Sequence, residues 1–201
     1  MQRKMFDVLA SAGGLLIVVA LLLAGGLFTW GYSFTNSSIK SQLVRQDIVF
    51  PSKAAFANAK PGTEVTPGMI PYLAQYAGMQ LTTGAQAKAY ADHFIAVHLS
   101  QMPYGGVYSK VSNASRANPT NTALSAEVQT TFQGTTLRGL LLEAYAFSEF
   151  GLIALYAAIA SFTLAVLMAL LVALGFWHAR RTPQDKELAL HVEAERVLAS
   201  V

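Results

Sequence analysis

The sequence predicts an all-α membrane protein. We expect a two-helix transmembrane hairpin with a small extracytoplasmic domain, mostly helical and irregular, and a short cytoplasmic C-terminal helix. Hydrophobic residues make up 53% of the chain and charged residues only 12%, whereas soluble domains are roughly 25% charged. Residues 8–32 and 150–177 contain no Asp, Glu, Lys, Arg or His. Each segment exceeds the roughly 20 residues that a spanning helix needs, so we expect both to cross the bilayer.

Basic residues predict the orientation of the hairpin. Arg3 and Lys4 precede the first span, and Arg180 and Arg181 follow the second. Because short cytoplasmic flanks carry an excess of Lys and Arg, both ends are expected on the cytoplasmic side of the cell (plasma) membrane. The remaining predicted segments are a cytoplasmic N-terminus at 1–7, an extracytoplasmic domain at 33–149 and a cytoplasmic tail helix at 178–201.

The first apolar segment has a second interpretation, a secretory signal peptide. Arg3 and Lys4 precede it, and small residues cluster at Ala24, Gly25 and Gly26, as they do before a cleavage site. The apolar run is longer than the usual 7–15-residue core of a signal peptide. This length favours an uncleaved anchor.

The segment between the spans contains no cysteine and is divided by its prolines. Without cysteine, a disulfide framework, thiolate metal ligands and a cysteine nucleophile are excluded. The prolines and the stretch KPGTEVTPG predict irregular chain with turns from Pro51 to Thr82. Just before it, residues 42–50 fit either a short strand or the end of a helix.

Two helices are predicted in the rest of this segment. Thr83 and Gln86 form the pattern of a capping box, and apolar residues follow at helical spacing up to Met102. The second helix begins outside the membrane and runs into the second span, with Asn118 or Thr120 as its candidate cap. We expect Gly134 to be a weak point in this helix.

Small side chains recur every four residues along the second span. In lipid no hydrophobic force drives helices together, so small residues that let backbones approach closely are typical of association faces. The alternative is chance spacing of alanine, which is common in membrane helices. We predict a helix-packing interface, with the first span or with a neighbouring subunit, at Ala157, Ser161, Ala165, Ala169 and Ala173.

His98 and Met102 are a candidate metal site. Four residues apart, they would share one helix face as a soft pair that suits Cu(I). His93 would point about 140° away from His98. Because the ligands are so few, we favour a packing role for this pair and expect no metal and no other cofactor.

Arg138 and Glu143 are expected to lie above the bilayer, on the helix that continues into the second span. Arg138 either extends its guanidinium to lipid headgroups or binds a carboxylate of a neighbouring subunit. The two residues are five apart, which is a poor spacing for a pair on one helix. Both are therefore candidates for docking the outer domain or a partner subunit.

Catalytic chemistry has no recognisable motif in the sequence. Glu143 and Glu149 are six residues apart and point in different directions on a helix, and Asp92 has no partner motif. A glycine-rich phosphate loop and a G-x-S-x-G motif are both absent. The net charge of +3 is scattered, without a basic stripe, so nucleic acid is not an expected partner.

Three short motifs carry a resemblance to a known family. AKAYADHFIAVHL, then YSKVS after a glycine pair, and then TLRGLLLEAYAF before the last span resemble a family of small two-span actinobacterial membrane proteins. The resemblance covers residues 85–177 and implies two spans around an outer domain. The function of this family is unknown, so the resemblance supplies no catalytic residues to carry over. Members often carry the label aromatic ring-opening dioxygenase, an activity that needs a non-haem iron site of His and carboxylate ligands. The sequence shows no such cluster, and it departs from the family by a longer proline-rich stretch before the outer helix.

Packing surfaces without recognisable chemistry predict a non-catalytic accessory or stabilising subunit of a larger integral-membrane enzyme complex. A respiratory oxidase assembly and a copper-dependent membrane monooxygenase are the candidate hosts. The expected partners are other integral-membrane subunits and the lipid bilayer. The alternatives are a stand-alone extracytoplasmic sensor or ligand-binding membrane protein, and an assembly factor for a membrane complex.

Overall fold

The computed structural model describes residues 3–181, and these are helical apart from turns and short connections. Two long helices, α1 (Arg3–Arg45) and α7 (Thr122–Arg181), begin and end the described chain. The short helices between them are α2 (Lys53–Ala57), α3 (Ile70–Leu73), α4 (Gly84–Tyr90), α5 (Ala96–Ser100) and α6 (Tyr108–Ala117). No β-strand forms within residues 3–181, so the all-α class is confirmed there. The predicted cytoplasmic helix at 178–201 lies, from Thr182 onward, outside the described residues.

Both long helices are long and apolar enough to cross a membrane. α1 has 43 residues and α7 has 60. At about 1.5 Å per residue, each is at least twice as long as a hydrocarbon core of roughly 30 Å. A large part of each helix must therefore lie outside the hydrocarbon of any bilayer that it spans.

The described chain divides into two compact units. The hairpin unit contains the chain up to Gly31 and from Ile153 onward. The connecting unit runs from Tyr32 to Leu152. The end of α1, the beginning of α7 and all the short helices belong to the connecting unit.

In the hairpin unit, α1 and α7 pack against each other through small residues. A Cβ placed on Gly14 would lie 2.7 Å from Cγ2 of Val172, and one placed on Gly25 would lie 2.8 Å from the ring of Phe162. Val172 follows Phe162 in the chain, whereas Gly14 precedes Gly25, so the helices run antiparallel. Glycine at these positions allows the two backbones to approach closely.

The buried residues of the hairpin unit repeat at intervals of three, four and seven. On α1 they are Ser11, Gly14, Val18 and Gly25. On α7 they are Ala158, Ser161, Ala165, Val172 and Ala179. Seven residues are slightly fewer than two turns of a straight helix, so this repeat is typical of helices wound into a left-handed supercoil.

The connecting unit has an apolar core. Its most deeply buried side chains include Leu43, Phe50, Met69, Leu73, Leu81 and Leu141. A short antiparallel pairing closes the chain around this core, because the N–H of Phe50 donates to the Met79 carbonyl at 2.9 Å and the N–H of Leu81 donates to the Ile48 carbonyl at 2.8 Å. In residues 42–50 the helix-end alternative is confirmed: helix α1 ends at Arg45, a turn follows at Gln46 and Asp47, and Val49 makes only an isolated antiparallel bridge to Gln80.

The capping box at the start of α4 is confirmed. Thr83 Oγ1 accepts a hydrogen bond from the Gln86 N–H at 3.3 Å, and Gln86 Oε1 accepts one from the Thr83 N–H at 3.1 Å. A π-helical turn at Ala91–Ile95 joins α4 to α5. The chain is therefore helical from Gly84 to Ser100.

The start of α7 differs from the predicted one. Asn121 caps this helix, because its Oδ1 accepts a hydrogen bond from the Leu124 N–H at 3.0 Å. Asn118 instead follows α6, and its Nδ2 donates to the Ala114 carbonyl at 3.2 Å. The prediction missed α6, so it offered Asn118, which follows that helix, as a cap of α7. The helix also continues without a break through Gly134.

Candidate functional site

Three charged side chains meet where the helix Gly84–Ser100 packs on α7. Asp92 Oδ2 accepts a hydrogen bond from Lys88 Nζ at 2.7 Å, and Asp92 Oδ1 accepts one from Arg138 Nη2 at 2.8 Å. Lys88 also lies over the ring of Tyr145, with Nζ 5.2 Å from the ring centroid. We call Lys88, Asp92 and Arg138 the Asp92 cluster. It contains two cations and one anion, so its net charge is positive.

Hydrogen bonding in the Asp92 cluster shifts two pKa values. The hydrogen bond from Lys88 is the largest influence on Asp92 and lowers the pKa of its carboxyl group. Partial burial opposes this shift, and the hydrogen bond from Arg138 adds to it. The hydrogen bond to Asp92 in turn raises the pKa of Lys88. The Asp92 carboxylate and the Lys88 ammonium are therefore both charged near neutral pH.

The π-helical turn places Asp92 within this cluster. The N–H of Ala96 bonds to the carbonyl of Ala91, five residues earlier, in place of the usual four. Such turns insert one residue into a helix and are frequent at functional sites. His93 on the same turn stacks on Tyr72, with ring centroids 3.6 Å apart. The sequence does not indicate a partner for Asp92, because apolar spacing does not reveal an inserted turn and Arg138 is 46 residues away.

A surface cavity of about 430 Å³, wide open to solvent, lies beside Arg138 in the connecting unit. Arg138 is the only charged side chain among the residues that line it, and Ser100, Ser109 and Thr135 contribute hydroxyl groups. Its apolar walls come from Ala96, Leu99, Val107 and Tyr108. Arg138 Nε is buried and has no hydrogen-bond partner among the described residues.

A tight left-handed loop forms one wall of this cavity. Tyr104, Gly105 and Gly106 all have positive φ values, 57°, 66° and 64°. Gly106 cannot carry a side chain without a shift, because a Cβ would collide with the carbonyl oxygen of Leu99. Tyr104 is unusual, since residues other than glycine rarely adopt this conformation. Tyr104 is also 54% exposed.

A second concave surface, a groove of about 350 Å³ between α1 and α7 in the connecting unit, contains Glu143. Its apolar lining comes mainly from Phe34, Ile39, Leu43, Leu140 and Phe147. Phe34, Leu140 and Phe147 are each more than half exposed. Glu143 is the only charged residue in the lining. It makes no hydrogen bond or ion pair with any other residue in 3–181.

Arg138 and Glu143 therefore differ in their surroundings, although α7 contains both of them together with residues 150–177. Arg138 was expected to meet lipid headgroups or a carboxylate of another subunit. The structure supplies a carboxylate from the same chain, that of Asp92. Glu143 remains exposed in the groove and open to an external cation.

Only part of the predicted small-residue face packs within the hairpin unit. Ser161 and Ala165 are buried and Ala157 is half-buried, whereas Ala169 and Ala173 are exposed. Four residues advance a helix by about 400°, so a series of every fourth residue drifts by about 40° at each step. The buried face follows the alternating spacing of three and four residues, and the predicted series leaves that face after Ala165.

His98 and Met102 do not share a helix face. α5 ends at Ser100, and Met102 has an extended backbone with φ −74° and ψ 160°. His98 Nδ1 lies 2.8 Å from the carbonyl oxygen of Phe94, and Met102 Sδ accepts a hydrogen bond from Thr131 at 3.9 Å. The geometry assumed for a Cu(I) pair is therefore wrong, because the helix ends before Met102. Within residues 3–181, no three His, Cys, Asp or Glu side chains are grouped as a metal ion would require.

The hairpin unit also contains an ionisable pair that was not predicted. His178 Nε2 lies 3.9 Å from Asp7 Oδ2, beside a cavity of about 230 Å³. Asp7 immediately precedes the first apolar segment, and His178 immediately follows the second. The predicted antiparallel hairpin places both residues at the same end of the hairpin. This placement could have identified the pair from the sequence.

Comparisons with protein-family models, with curated proteins and with solved structures gave no match to this chain. The candidate sites are therefore defined by geometry and chemistry alone. The Asp92 cluster, the cavity beside Arg138 and the groove that contains Glu143 all lie in the connecting unit.

Proposed function

We propose that this chain is a non-catalytic accessory subunit that stabilises a larger integral-membrane enzyme complex. The groove between α1 and α7 carries this proposal, because three of its apolar residues, Phe34, Leu140 and Phe147, are exposed. Its single charged residue, Glu143, has no partner among the described residues. Exposed apolar surfaces with polar rims are typical of protein interaction sites. The polar part of the lining of this groove comes from Thr35, Ser38, Gln42 and Gln46.

The chemistry of the groove defines the partner segment. Aromatic side chains such as Phe34 and Phe147 favour an apolar partner, since aromatic residues are enriched in the buried centres of interfaces. Glu143 requires a cation opposite it, because an unpaired charge is costly to bury. The partner is therefore an apolar helix of another membrane subunit that presents a Lys or Arg side chain to Glu143.

The proposed orientation places this groove on the outer side of the plasma membrane. Both termini are cytoplasmic in this arrangement, as the basic flanks of the two apolar segments favour. Glu143 precedes Phe150, where the second apolar segment begins, by seven residues, or about 10 Å along a helix. A partner helix that leaves the bilayer beside this chain would reach the groove within two turns.

The hairpin unit offers a second surface to the same complex. Ala169 and Ala173 are exposed and lie four residues apart on α7, a spacing that allows another helix to approach closely. Respiratory oxidase assemblies and copper-dependent membrane monooxygenases remain the candidate hosts. We include in this proposal that the chain is a member of the two-span actinobacterial family. The motifs around Asp92 and Arg138 resemble those of that family.

Purification of the full-length chain from its native membrane tests the proposed role. The tagged protein is extracted in a mild detergent, and the intact assembly is weighed by native mass spectrometry. An accessory subunit is expected to co-purify with the same membrane proteins at a fixed stoichiometry in several detergents. Recovery of the chain alone, or with partners whose ratio varies between preparations, would contradict a stable subunit role.

A sensor or ligand-binding module is the second candidate function, and the cavity beside Arg138 favours it. A volume of about 430 Å³ lies within the range of small-molecule sites. Such a protein would bind its ligand without a stable partner. Ligand binding by a chain that purifies alone would therefore favour this candidate over the first.

A further inference from the structure

We propose that the cavity beside Arg138 binds a monocarboxylate with an apolar body. Arg138 is the only charged side chain in its lining. Because this side chain is a cation, the cavity favours an anionic ligand. This proposal does not depend on docking in the groove. It deepens the second candidate function, since it names the chemical class of ligand.

The charge of the Asp92 cluster limits the ligand to about one negative charge. Asp92 is shared between Lys88 and Arg138, so it compensates only one of the two cations. A monoanion bound at Arg138 would neutralise the remaining charge. A doubly charged phosphate would leave one negative charge unpaired beside Asp92.

The guanidinium of Arg138 retains donors for such a ligand. Its Nη2 donates to Asp92 at 2.8 Å, and its Nη1 makes no hydrogen bond with the described residues. Its Nε also has no partner but is shielded from solvent, so the donors open to a ligand are those of the terminal nitrogens. An arginine has five N–H donors in a planar arrangement that matches the two oxygens of a carboxylate. Asp92 fixes the orientation of this guanidinium, so the donors are positioned before the ligand arrives.

The other residues that line the cavity favour a ligand with an apolar body. Ala96, Leu99 and Val107 are apolar, and the hydroxyl groups of Ser100, Ser109 and Thr135 supply a few polar contacts. Binding sites for small organic molecules usually combine apolar walls with a few directed polar groups. A free organic acid and the C-terminal carboxylate of a protein chain both have this chemistry.

Titration calorimetry on the full-length chain in lipid nanodiscs tests the proposal. The probes are benzoate and benzamide, which have the same shape but differ in charge. Wild-type protein is expected to bind benzoate about tenfold more tightly than benzamide or better, as the loss of a charge-assisted hydrogen bond implies. Arg138→Gln should remove this preference. Arg116→Gln, which removes a cation from α6 outside the cavity lining, should retain it.

Two further arms make the test independent of the folding of the Arg138 variant and identify the ligand source. Ala96→Leu narrows the cavity without changing charge, so it should weaken binding of both probes. An acetylated apolar tripeptide with a free C-terminus is compared with its amidated form. Tighter binding of the free-acid peptide than of benzoate supports a chain terminus as the ligand, and binding of benzoate alone supports a free acid. Equal affinity of wild-type protein for benzoate and benzamide, or equal loss of preference in Arg116→Gln and Arg138→Gln, would overturn the proposal.

Discussion

Arg138 Nη2 lies 2.8 Å from Asp92 Oδ1, and this ion pair joins α7 to the π-helical turn across 46 residues of chain. The Arg138 side chain is 39% exposed and that of Asp92 is 23% exposed. Water therefore screens the pair, and pairs in such surroundings contribute about 0–1 kcal/mol to stability. Its main consequence is geometric, because it holds the guanidinium at the edge of the cavity.

A double-mutant cycle measures this relationship. Asp92→Asn and Arg138→Gln should each destabilise the protein, and their combined effect should be smaller than the sum by about 0.5–1 kcal/mol. The free energy of unfolding is measured by denaturant titration in detergent. The control cycle pairs Asp92→Asn with Arg116→Gln, since Arg116 bonds to Ser112 and Asn113 of its own helix. A coupling energy no larger than in this control would contradict the structural pairing.

The Asp92 cluster should also make stability depend on pH at both extremes. The folded-state pKa of Asp92 is lowered, so its contribution is complete above its unfolded pKa of about 4 and is lost as pH falls through the lower folded value. The pKa of Lys88 is raised, so its contribution is complete below its unfolded pKa of about 10.4 and is lost as pH rises through the folded value.

Comparison of the wild-type protein with Asp92→Asn isolates the acidic effect. The difference in their free energies of unfolding should be constant from pH 7 to about 5 and should shrink as pH falls below about 4. A difference that grows with acidification would show that Asp92 is destabilising when ionised, contrary to the observed hydrogen bonds.

Two alanines on α7 should respond differently to the same substitution. Ala165 is 1% exposed in the hairpin unit, so Ala165→Leu should overpack the helix interface and destabilise the hairpin by about 1–3 kcal/mol. Ala169 is exposed, and Ala169→Leu should leave the isolated chain nearly unchanged. Thermal unfolding in detergent measures both variants. Equal destabilisation would show that Ala169 also packs within the chain.

Cysteine labelling tests the proposed topology without background, because the chain has no native cysteine. A membrane-impermeant maleimide applied to intact cells should label Arg116→Cys. It should label Lys186→Cys only after the cells are permeabilised. The opposite pattern would place the connecting unit in the cytoplasm and would reverse the positive-inside assignment.

The elements that were predicted correctly are those that local sequence determines. Two long apolar segments and the spacing of Thr83 and Gln86 are sufficient to indicate the two long helices and the capping box. Tertiary features were missed for identifiable reasons. Asp92 and Arg138 meet because of an inserted helical turn and a distant helix, and neither leaves a periodic pattern in the sequence.

The small-residue face of α7 was also only partly predicted from local sequence. A series of every fourth residue identified Ser161 and Ala165 but continued to Ala169 and Ala173, which lie off the buried face. The true spacing depends on the partner helix, because Gly14 and Gly25 of α1 lie against the side chains of Val172 and Phe162 of α7. The groove was likewise unpredictable, since it arises from the relative position of α1 and α7 in the connecting unit.

The docking role of the groove is tested most directly by charge reversal at Glu143. The variants Glu143→Lys and Glu149→Lys make the same change on the same helix, but Glu149 lies outside the groove lining. Each tagged variant is purified from the native membrane in mild detergent, and the partner-to-chain ratio is measured by native mass spectrometry. The groove model predicts that the partner-to-chain ratio of Glu143→Lys falls by about tenfold or more, because like charges then meet at the interface. Glu149→Lys should retain the wild-type ratio. Wild-type stoichiometry in both variants, or equal loss in both, would contradict docking through this groove.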